Sequence, residues 1–130
     1  MQNISSYNKY LSYESGRLKI EQIFLDDIAI KFGTPIFCYS VNQIKDNLQN
    51  LKNSFSKIKP VICYAMKANF NKGIIKIMSK NNLGVDVVSK GELKKSLKYG
   101  IKNNKIVFSG VGKTDEEISF ALKKNIKQIN

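Results

Sequence analysis

An apolar run at residues 61–69 anchors the architecture of this chain: Val61-Ile62-Cys63-Tyr64-Ala65-Met66-Lys67-Ala68-Asn69. Six apolar or aromatic residues follow one another between Pro60 and Lys67, and this pattern predicts a strand that is buried on both faces. Strands of that kind belong to parallel sheets, whose faces are both covered. We therefore expect an α/β fold in which Lys67 closes a parallel strand.

The position of Lys67 favours a chemical role for its amine. Side chains alternate along a strand, so Lys67 is predicted to share a face with Cys63 and Ala65, while Tyr64 and Met66 pack on the other face. Parallel strands carry their chemistry at the carboxyl ends. Partial desolvation there favours the neutral amine, which attacks carbonyl carbons and forms Schiff bases. The alternative is a solvated lysine, because lysine is abundant throughout the chain.

Downstream of Lys67, predicted strands and helices alternate at short and regular intervals. Strands are predicted to start at Val61, Val85, Ile106 and Ile126. Helices are predicted between them, over Lys72–Lys80, after an N-cap at Ser89 and after an N-cap at Thr114. Such repeated βα steps are typical of a β/α barrel or of a doubly wound sheet, and periodicity does not distinguish the two.

The segment before residue 61 is predicted to contain shorter elements. They are a hairpin of Tyr10–Tyr13 with Arg17–Ile20, a helix from Leu25 ended by Gly33, a brief strand at Ile36–Tyr39, and a helix from the N-cap Ser40 to about Ser56.

Composition excludes several classes of function. The net charge of +12 is spread over every segment and comes almost entirely from lysine, which argues against a nucleic-acid patch. The chain has no histidine, so Ser-His-Asp and Cys-His nucleophiles and histidine metal sites are excluded, and we expect no metal. No apolar run is long enough to cross a bilayer, so we expect a cytoplasmic protein. Cys38 and Cys63 lie in apolar runs and are expected to be reduced thiols.

Four stretches together resemble the diaminopimelate decarboxylase family, within the alanine racemase and ornithine decarboxylase class of pyridoxal-phosphate barrels. The segment Tyr64-Ala65-Met66-Lys67-Ala68-Asn69 is similar to the cofactor-lysine motif of the class. The others are Gly33-Thr34-Pro35-Ile36-Phe37-Cys38-Tyr39-Ser40, Gly84-Val85-Asp86-Val87-Val88-Ser89-Lys90-Gly91-Glu92-Leu93 and Ile106-Val107-Phe108-Ser109-Gly110-Val111-Gly112-Lys113-Thr114.

This resemblance implies a fold, a cofactor and a reaction. The fold is the N-terminal part of a (β/α)8 TIM-type barrel over residues 35–130, comprising three βα units and the start of a fourth strand. Residues 1–34 would belong to a β domain. The reaction is pyridoxal-phosphate-dependent decarboxylation of meso-diaminopimelate to L-lysine and carbon dioxide by a homodimer. We expect the chain to be an N-terminal fragment that is inactive alone, because a complete barrel takes about 250 residues.

The resemblance also implies roles for three residues. Lys67 would hold pyridoxal phosphate covalently, Ala65 would leave room for its ring, and Asp86 would lie close to Lys67 and orient the amine or the ring. The alternative for Asp86 is a structural aspartate that accepts hydrogen bonds from backbone amides.

Other functions remain open from sequence. One is a decarboxylase of the same class that acts on ornithine, arginine or a carboxylated polyamine, and another is a non-catalytic pyridoxal-phosphate carrier. A nucleotide or nucleic-acid binder is a third alternative, because the chain is positively charged and Gly110-Val111-Gly112-Lys113-Thr114 joins a strand to a helix as a phosphate loop does. The glycine that such a loop needs further upstream is replaced by Val107, which disfavours this function.

Overall fold

The computed structural model describes residues 4–58 and 60–130. The chain forms two compact units, Met1–Lys57 and Ile58–Asn130. The division into residues 1–34 and 35–130 made from the sequence stays a prediction.

The first unit holds a small antiparallel sheet and two helices. Its strands are β1 (Leu11–Glu14), β2 (Arg17–Ile20) and β3 (Ile23–Phe24), paired in the order β1-β2-β3. Its helices are α1 (Leu25–Phe32) and α2 (Val41–Ser54). The predicted hairpin is confirmed, and Gly16 adopts the positive φ of 78° that its turn requires.

Two predictions for this unit need correction. Ile36–Tyr39 forms no strand, because no neighbouring strand of the described residues pairs with it. Cys38 is consequently exposed rather than packed in a strand. The helix after Ser40 ends at Ser54, about two residues earlier than predicted.

The second unit is built on a parallel sheet, as the sequence predicted. Its strands are β4 (Cys63–Ala65), β5 (Gly84–Val87), β6 (Ile106–Phe108) and β7 (Gln128–Ile129), in the order β4-β5-β6-β7. Its helices alternate with the strands and are α3 (Lys72–Lys80), α4 (Lys90–Lys98) and α5 (Asp115–Lys123). The α/β class and the predicted rhythm are confirmed.

One face of this sheet forms the core. Val85, Val87, Ile106 and Phe108 are fully buried, together with the helix residues Ile75, Leu93 and Ala121. Asp86 and Val107 lie between these positions along the strands and are only half-buried. The face that carries Asp86 therefore remains partly open. The burial on both faces that the sequence predicted for the strand before Lys67 is wrong, since all three residues of β4 are only half-buried.

Local capping explains where the three helices of the second unit begin. The Asn71 side chain accepts from the Gly73 amide, Ser89 accepts from Glu92, and Thr114 accepts from Glu117. At α5 the Glu117 side chain also returns to the Thr114 amide, which completes the predicted capping box. The predicted caps at Ser89 and Thr114 thus located the beginnings of α4 and α5, whereas the cap at Asn71 was not predicted from the sequence.

No helix within residues 4–58 and 60–130 is long and apolar enough to cross a membrane. Within the same ranges, no group of three or more cysteine, aspartate and glutamate side chains is placed to hold a metal ion.

Candidate active site

The strand that carries the lysine motif is shorter than predicted. β4 ends at Ala65, and Met66–Ala68 form one turn of 3-10 helix. Lys67 therefore lies on a turn beyond the strand, and strand alternation does not set the face it occupies. The ladder with β5 explains this end, because the paired residues run only from Cys63 with Gly84 to Ala65 with Asp86.

Met66 and Lys67 are neighbours on this turn, but their side chains lie in different environments. Met66 is fully buried, as its predicted core role requires, whereas Lys67 is exposed. Among the described residues, no hydrogen bond or ion pair involves the Lys67 amine. The amine is thus accessible to a ligand, and its position depends on the backbone of the turn.

Strand pairing brings Ala65 and Asp86 side by side. They are direct neighbours in the parallel register of β4 and β5, and Asp86 in turn pairs with Val107 of β6. Paired residues of adjacent strands present their side chains on the same face of a sheet. The small side chain of Ala65 therefore leaves space beside the Asp86 carboxylate, two residues before Lys67.

The Asp86 carboxylate has an unsatisfied oxygen. Oδ1 is buried and has no hydrogen-bond partner in the part of the chain that the structure describes. A buried acceptor without a donor is costly, and native structures rarely leave one unexplained. The alternative role for Asp86, an acceptor of backbone amides, is not supported at this atom. A donor from a bound molecule would satisfy it.

The thiol of Cys63 lies on the same part of the sheet. Burial raises the pKa of the Cys63 thiol, and the negative charge of Asp86 raises it further. The neutral thiol is thus favoured, and we assign Cys63 no nucleophilic role. Its neighbour Gly84 cannot carry a side chain, because a Cβ there would come within 2.3 Å of the Lys105 carbonyl oxygen.

The glycine-rich stretch after β6 does not form a phosphate loop. Gly110 adopts a φ of 96°, which permits the tight turn from β6 toward α5. The Lys113 amine donates to the carbonyl oxygens of Gly110 and Asn130, at 2.5 and 2.6 Å. A phosphate-binding lysine needs its amine free for the ligand, so this geometry disfavours the nucleotide-binding alternative.

Sequence reasoning missed one contact at this site. The Tyr64 hydroxyl donates to the carbonyl oxygen of Asn69, 3.0 Å away, across the turn that holds Lys67. The sequence pattern predicts only a core role for Tyr64. The two asparagines at 69 and 71 signalled a polar turn before α3, but no sequence pattern pointed to the tyrosine.

A comparison with known families identifies residues 41–130. They match the family model described as pyridoxal-dependent decarboxylase, pyridoxal binding domain. The match begins at the first residue of α2 and includes Ala65, Lys67 and Asp86.

Individual relatives agree with this match. The diaminopimelate decarboxylase of Aquifex aeolicus (strain VF5) is 41% identical over 130 residues, covering 100% of this chain and 30% of the relative. The crystal structure of diaminopimelate decarboxylase from M. jannaschii in co-complex with L-lysine superposes with a TM-score of 0.89 at 35% identity, covering 95% of this chain and 30% of that one.

A third relative is the diaminopimelate decarboxylase of Helicobacter pylori complexed with L-lysine, with a TM-score of 0.76 and 42% identity over 82% of this chain and 27% of that one. The chain thus spans about a third or less of the length of these relatives. With more than half of its residues inside the matched domain, the chain belongs to the pyridoxal-dependent decarboxylase family.

Proposed function

We propose that this chain provides the cofactor-lysine part of a pyridoxal-phosphate-dependent decarboxylase that converts meso-diaminopimelate to L-lysine and carbon dioxide. The observation that carries the proposal is the unsatisfied oxygen of Asp86. Asp86 lies on β5, directly beside Ala65 of β4, the strand that ends just before Lys67. The substrate is inferred from the names of the relatives, which are diaminopimelate decarboxylases. The L-lysine complexes of the M. jannaschii and Helicobacter pylori diaminopimelate decarboxylases support the same product.

The residues present fit pyridoxal phosphate. Lys67 offers an exposed primary amine without a partner among the described residues, which is the group that bonds an aldehyde. Ala65 offers space, and Asp86 offers an acceptor that lacks a donor. These three groups supply covalent attachment, room for a ring and an electrostatic partner.

Each residue has a distinct task in the proposed reaction. When bound, pyridoxal phosphate supplies an electron-accepting ring that stabilises the charge left on the substrate carbon as carbon dioxide departs. Lys67 would hold the cofactor through Nζ, and as a free amine it would give a proton to the substrate carbon or take one from it. The Asp86 carboxylate accepts a hydrogen bond and favours positive charge near it. The small side chain of Ala65 leaves room for the ring beside Asp86.

We further propose that the parallel sheet is part of a (β/α)8 barrel and that the enzyme acts as a cytoplasmic homodimer. The alternation of β4 to β7 with α3 to α5 and the superposition on longer relatives support the barrel. The dimer stays a prediction from the family resemblance, and the cytoplasmic location stays a prediction from the apolar pattern of the sequence.

The assignment of Lys67 is tested by chemical trapping in a protein of full decarboxylase length. We define the Aquifex chimaera as the Aquifex aeolicus relative in which residues 1–130 of this chain replace the aligned segment. Borohydride reduction followed by peptide mass mapping should place a pyridoxyl group on the peptide that contains Lys67. Lys67→Arg should abolish turnover, because a guanidinium does not bond the aldehyde.

Lys72→Arg is the matched control, since it changes a nearby lysine and should retain activity. A pyridoxyl group on Lys72, Lys90 or Lys113 in the reduced chimaera would overturn the assignment of Lys67.

The role of Asp86 is tested by Asp86→Asn in the same chimaera. This change keeps the shape of the side chain and removes its charge, so the protein should fold while cofactor affinity or turnover falls. Cofactor release during dialysis and steady-state kinetics measure the two effects. Unchanged values for both would assign Asp86 a structural role.

A further inference from the structure

The turn that carries Lys67 is held at both ends by contacts that Lys67 does not make itself. On its N-terminal side, Met66 is fully buried. On its C-terminal side, the Asn69 carbonyl oxygen accepts a hydrogen bond from the Tyr64 hydroxyl at 3.0 Å. The lysine thus lies between one side chain packed in the core and one backbone group that is bound to the preceding strand.

The C-terminal side of the turn also connects to α3. The Asn69 side chain accepts from the Asn71 amide at 2.9 Å, and the Asn71 side chain accepts from the Gly73 amide at 2.9 Å. The Lys95 amine lies over the Phe70 ring, 4.5 Å from its centroid. The Tyr64 hydroxyl bonds Asn69, Asn69 bonds Asn71, and Asn71 bonds the first turn of α3. This series of hydrogen bonds connects β4 to the beginning of α3.

The placement of Tyr64 explains why its hydroxyl can reach this carbonyl. Tyr64 pairs with the fully buried Val85 of β5, so its ring lies on the core face of the sheet, opposite Ala65 and Asp86. The hydroxyl extends past the carboxyl end of the strand to Asn69. Tyr64 therefore contacts the Lys67 turn from the core face of the sheet, and the proposed cofactor residues Ala65 and Asp86 lie on the opposite face.

We propose that Tyr64 is a positioning residue for Lys67. Its hydroxyl closes the turn, and the closed turn sets where the Lys67 amine lies relative to Ala65 and Asp86. Among the described residues no contact of its own orients this amine, so the backbone of the turn is what determines its position. This inference rests on the proposed role of Lys67 as the cofactor lysine.

The first test examines the turn without any cofactor. Tyr64→Phe removes only the hydroxyl, and Tyr10→Phe is the matched control, because the Tyr10 hydroxyl also donates a hydrogen bond, to Asp46 at 2.5 Å in the other unit. Hydrogen–deuterium exchange of the 130-residue chain should show faster exchange at residues 66–71 in Tyr64→Phe, by roughly three- to tenfold, as expected for one lost hydrogen bond. Tyr10→Phe should leave that segment unchanged. Equal exchange in both variants would overturn the inference.

The second test measures the consequence for Lys67 in the Aquifex chimaera. With Tyr64→Phe, the rate at which stripped protein regains the absorbance of bound pyridoxal phosphate should fall several-fold, and kcat should fall while KM is retained. Reloading and kcat equal to those of the unsubstituted chimaera would show that Tyr64 is structural only, and would overturn the proposal.

The two proposals fail in different ways. A pyridoxyl group trapped on another lysine would refute the role of Lys67, whatever the exchange experiment shows. Trapping on Lys67 together with unchanged reloading in Tyr64→Phe would refute only the role of Tyr64.

Discussion

The two units of the chain are stabilised by different kinds of contact. Every buried apolar residue of the described chain lies in the second unit, between Met66 and Ala121. In the first unit the only buried residue among those described is Ser40, while Ile30, Phe32 and Phe37 expose 65% or more of their surface. The second unit therefore has a fully buried apolar core, whereas the described apolar side chains of the first unit are at most half-buried and are supplemented by polar contacts.

Carboxylates provide the polar contacts of the first unit. Glu21 accepts hydrogen bonds from the Ser40 hydroxyl at 2.5 Å and from the Asn42 amide at 3.0 Å, which caps α2 from outside the helix. Asp26 pairs with Arg17 at 2.7 Å, and Asp46 accepts from the Tyr10 hydroxyl. The three proposed cofactor residues, Ala65, Lys67 and Asp86, all lie in the unit with a packed core, where residues are held most precisely.

The largest expected effect comes from removing a core side chain of the second unit. Phe108 is fully buried, so Phe108→Ala should lower the free energy of unfolding by about 3–5 kcal/mol. Urea denaturation followed by far-UV circular dichroism measures this loss. Phe37→Ala in the first unit is the control, since Phe37 is 88% exposed and its removal should change stability by about 0.5 kcal/mol or less. Similar losses for the two variants would refute the contrast between the units.

Acid should destabilise the first unit at a pH where the core of the second persists. Hydrogen bonds from Ser40, Arg17 and Lys9 lower the pKa values of Glu21, Asp26 and Asp46, respectively. A lowered folded pKa contributes stability above the unfolded pKa, near 4, and this contribution is lost as the pH falls through the folded value.

Two-dimensional NMR spectra at pH 6 and pH 3 measure this effect. Amide signals of residues 4–57 should be lost or shifted at pH 3, whereas those of β5 and β6 should remain. Glu21→Gln should weaken the capping of α2 already at pH 6, because the neutral amide is a poorer acceptor. Earlier loss of the β5 and β6 signals would contradict the prediction.

Glu116 and Glu117 also have pKa values lowered by hydrogen bonds, from Lys90 in both cases, so α5 should respond to acid more than the strands do.

The smallest expected effect concerns one helix cap of the second unit. Thr114→Ala removes the side chain that accepts from the Glu117 amide and should lower the free energy of unfolding by about 1 kcal/mol. Ser119→Ala, at an exposed position of the same helix, is the control and should not destabilise the chain. A loss in Thr114→Ala as large as that in Phe108→Ala would mean that caps, and not the core, hold the second unit.

Local sequence determined most elements of the second unit. The apolar spacing of Ile74, Ile75 and Met78 indicated the buried face of α3, and the caps at Ser89 and Thr114 located the first residues of α4 and α5. These features depend on hydrogen bonds and side chains only a few residues apart. For that reason, helix caps and buried helix faces can be predicted without knowledge of the fold.

Tertiary structure decided what the sequence pattern left open. The register of β4 with β5 placed Ala65 beside Asp86, and the end of that ladder put Lys67 on a turn instead of on the strand. The bond from Tyr64 to Asn69 and the capping of α2 by Glu21 were likewise invisible in the sequence. Ile36–Tyr39 is apolar enough for a strand but forms none, because no strand in the described part of the chain pairs with it. Strand pairing and hydrogen bonds between distant segments depend on which backbone groups meet in space, and periodicity along one segment carries no information about that.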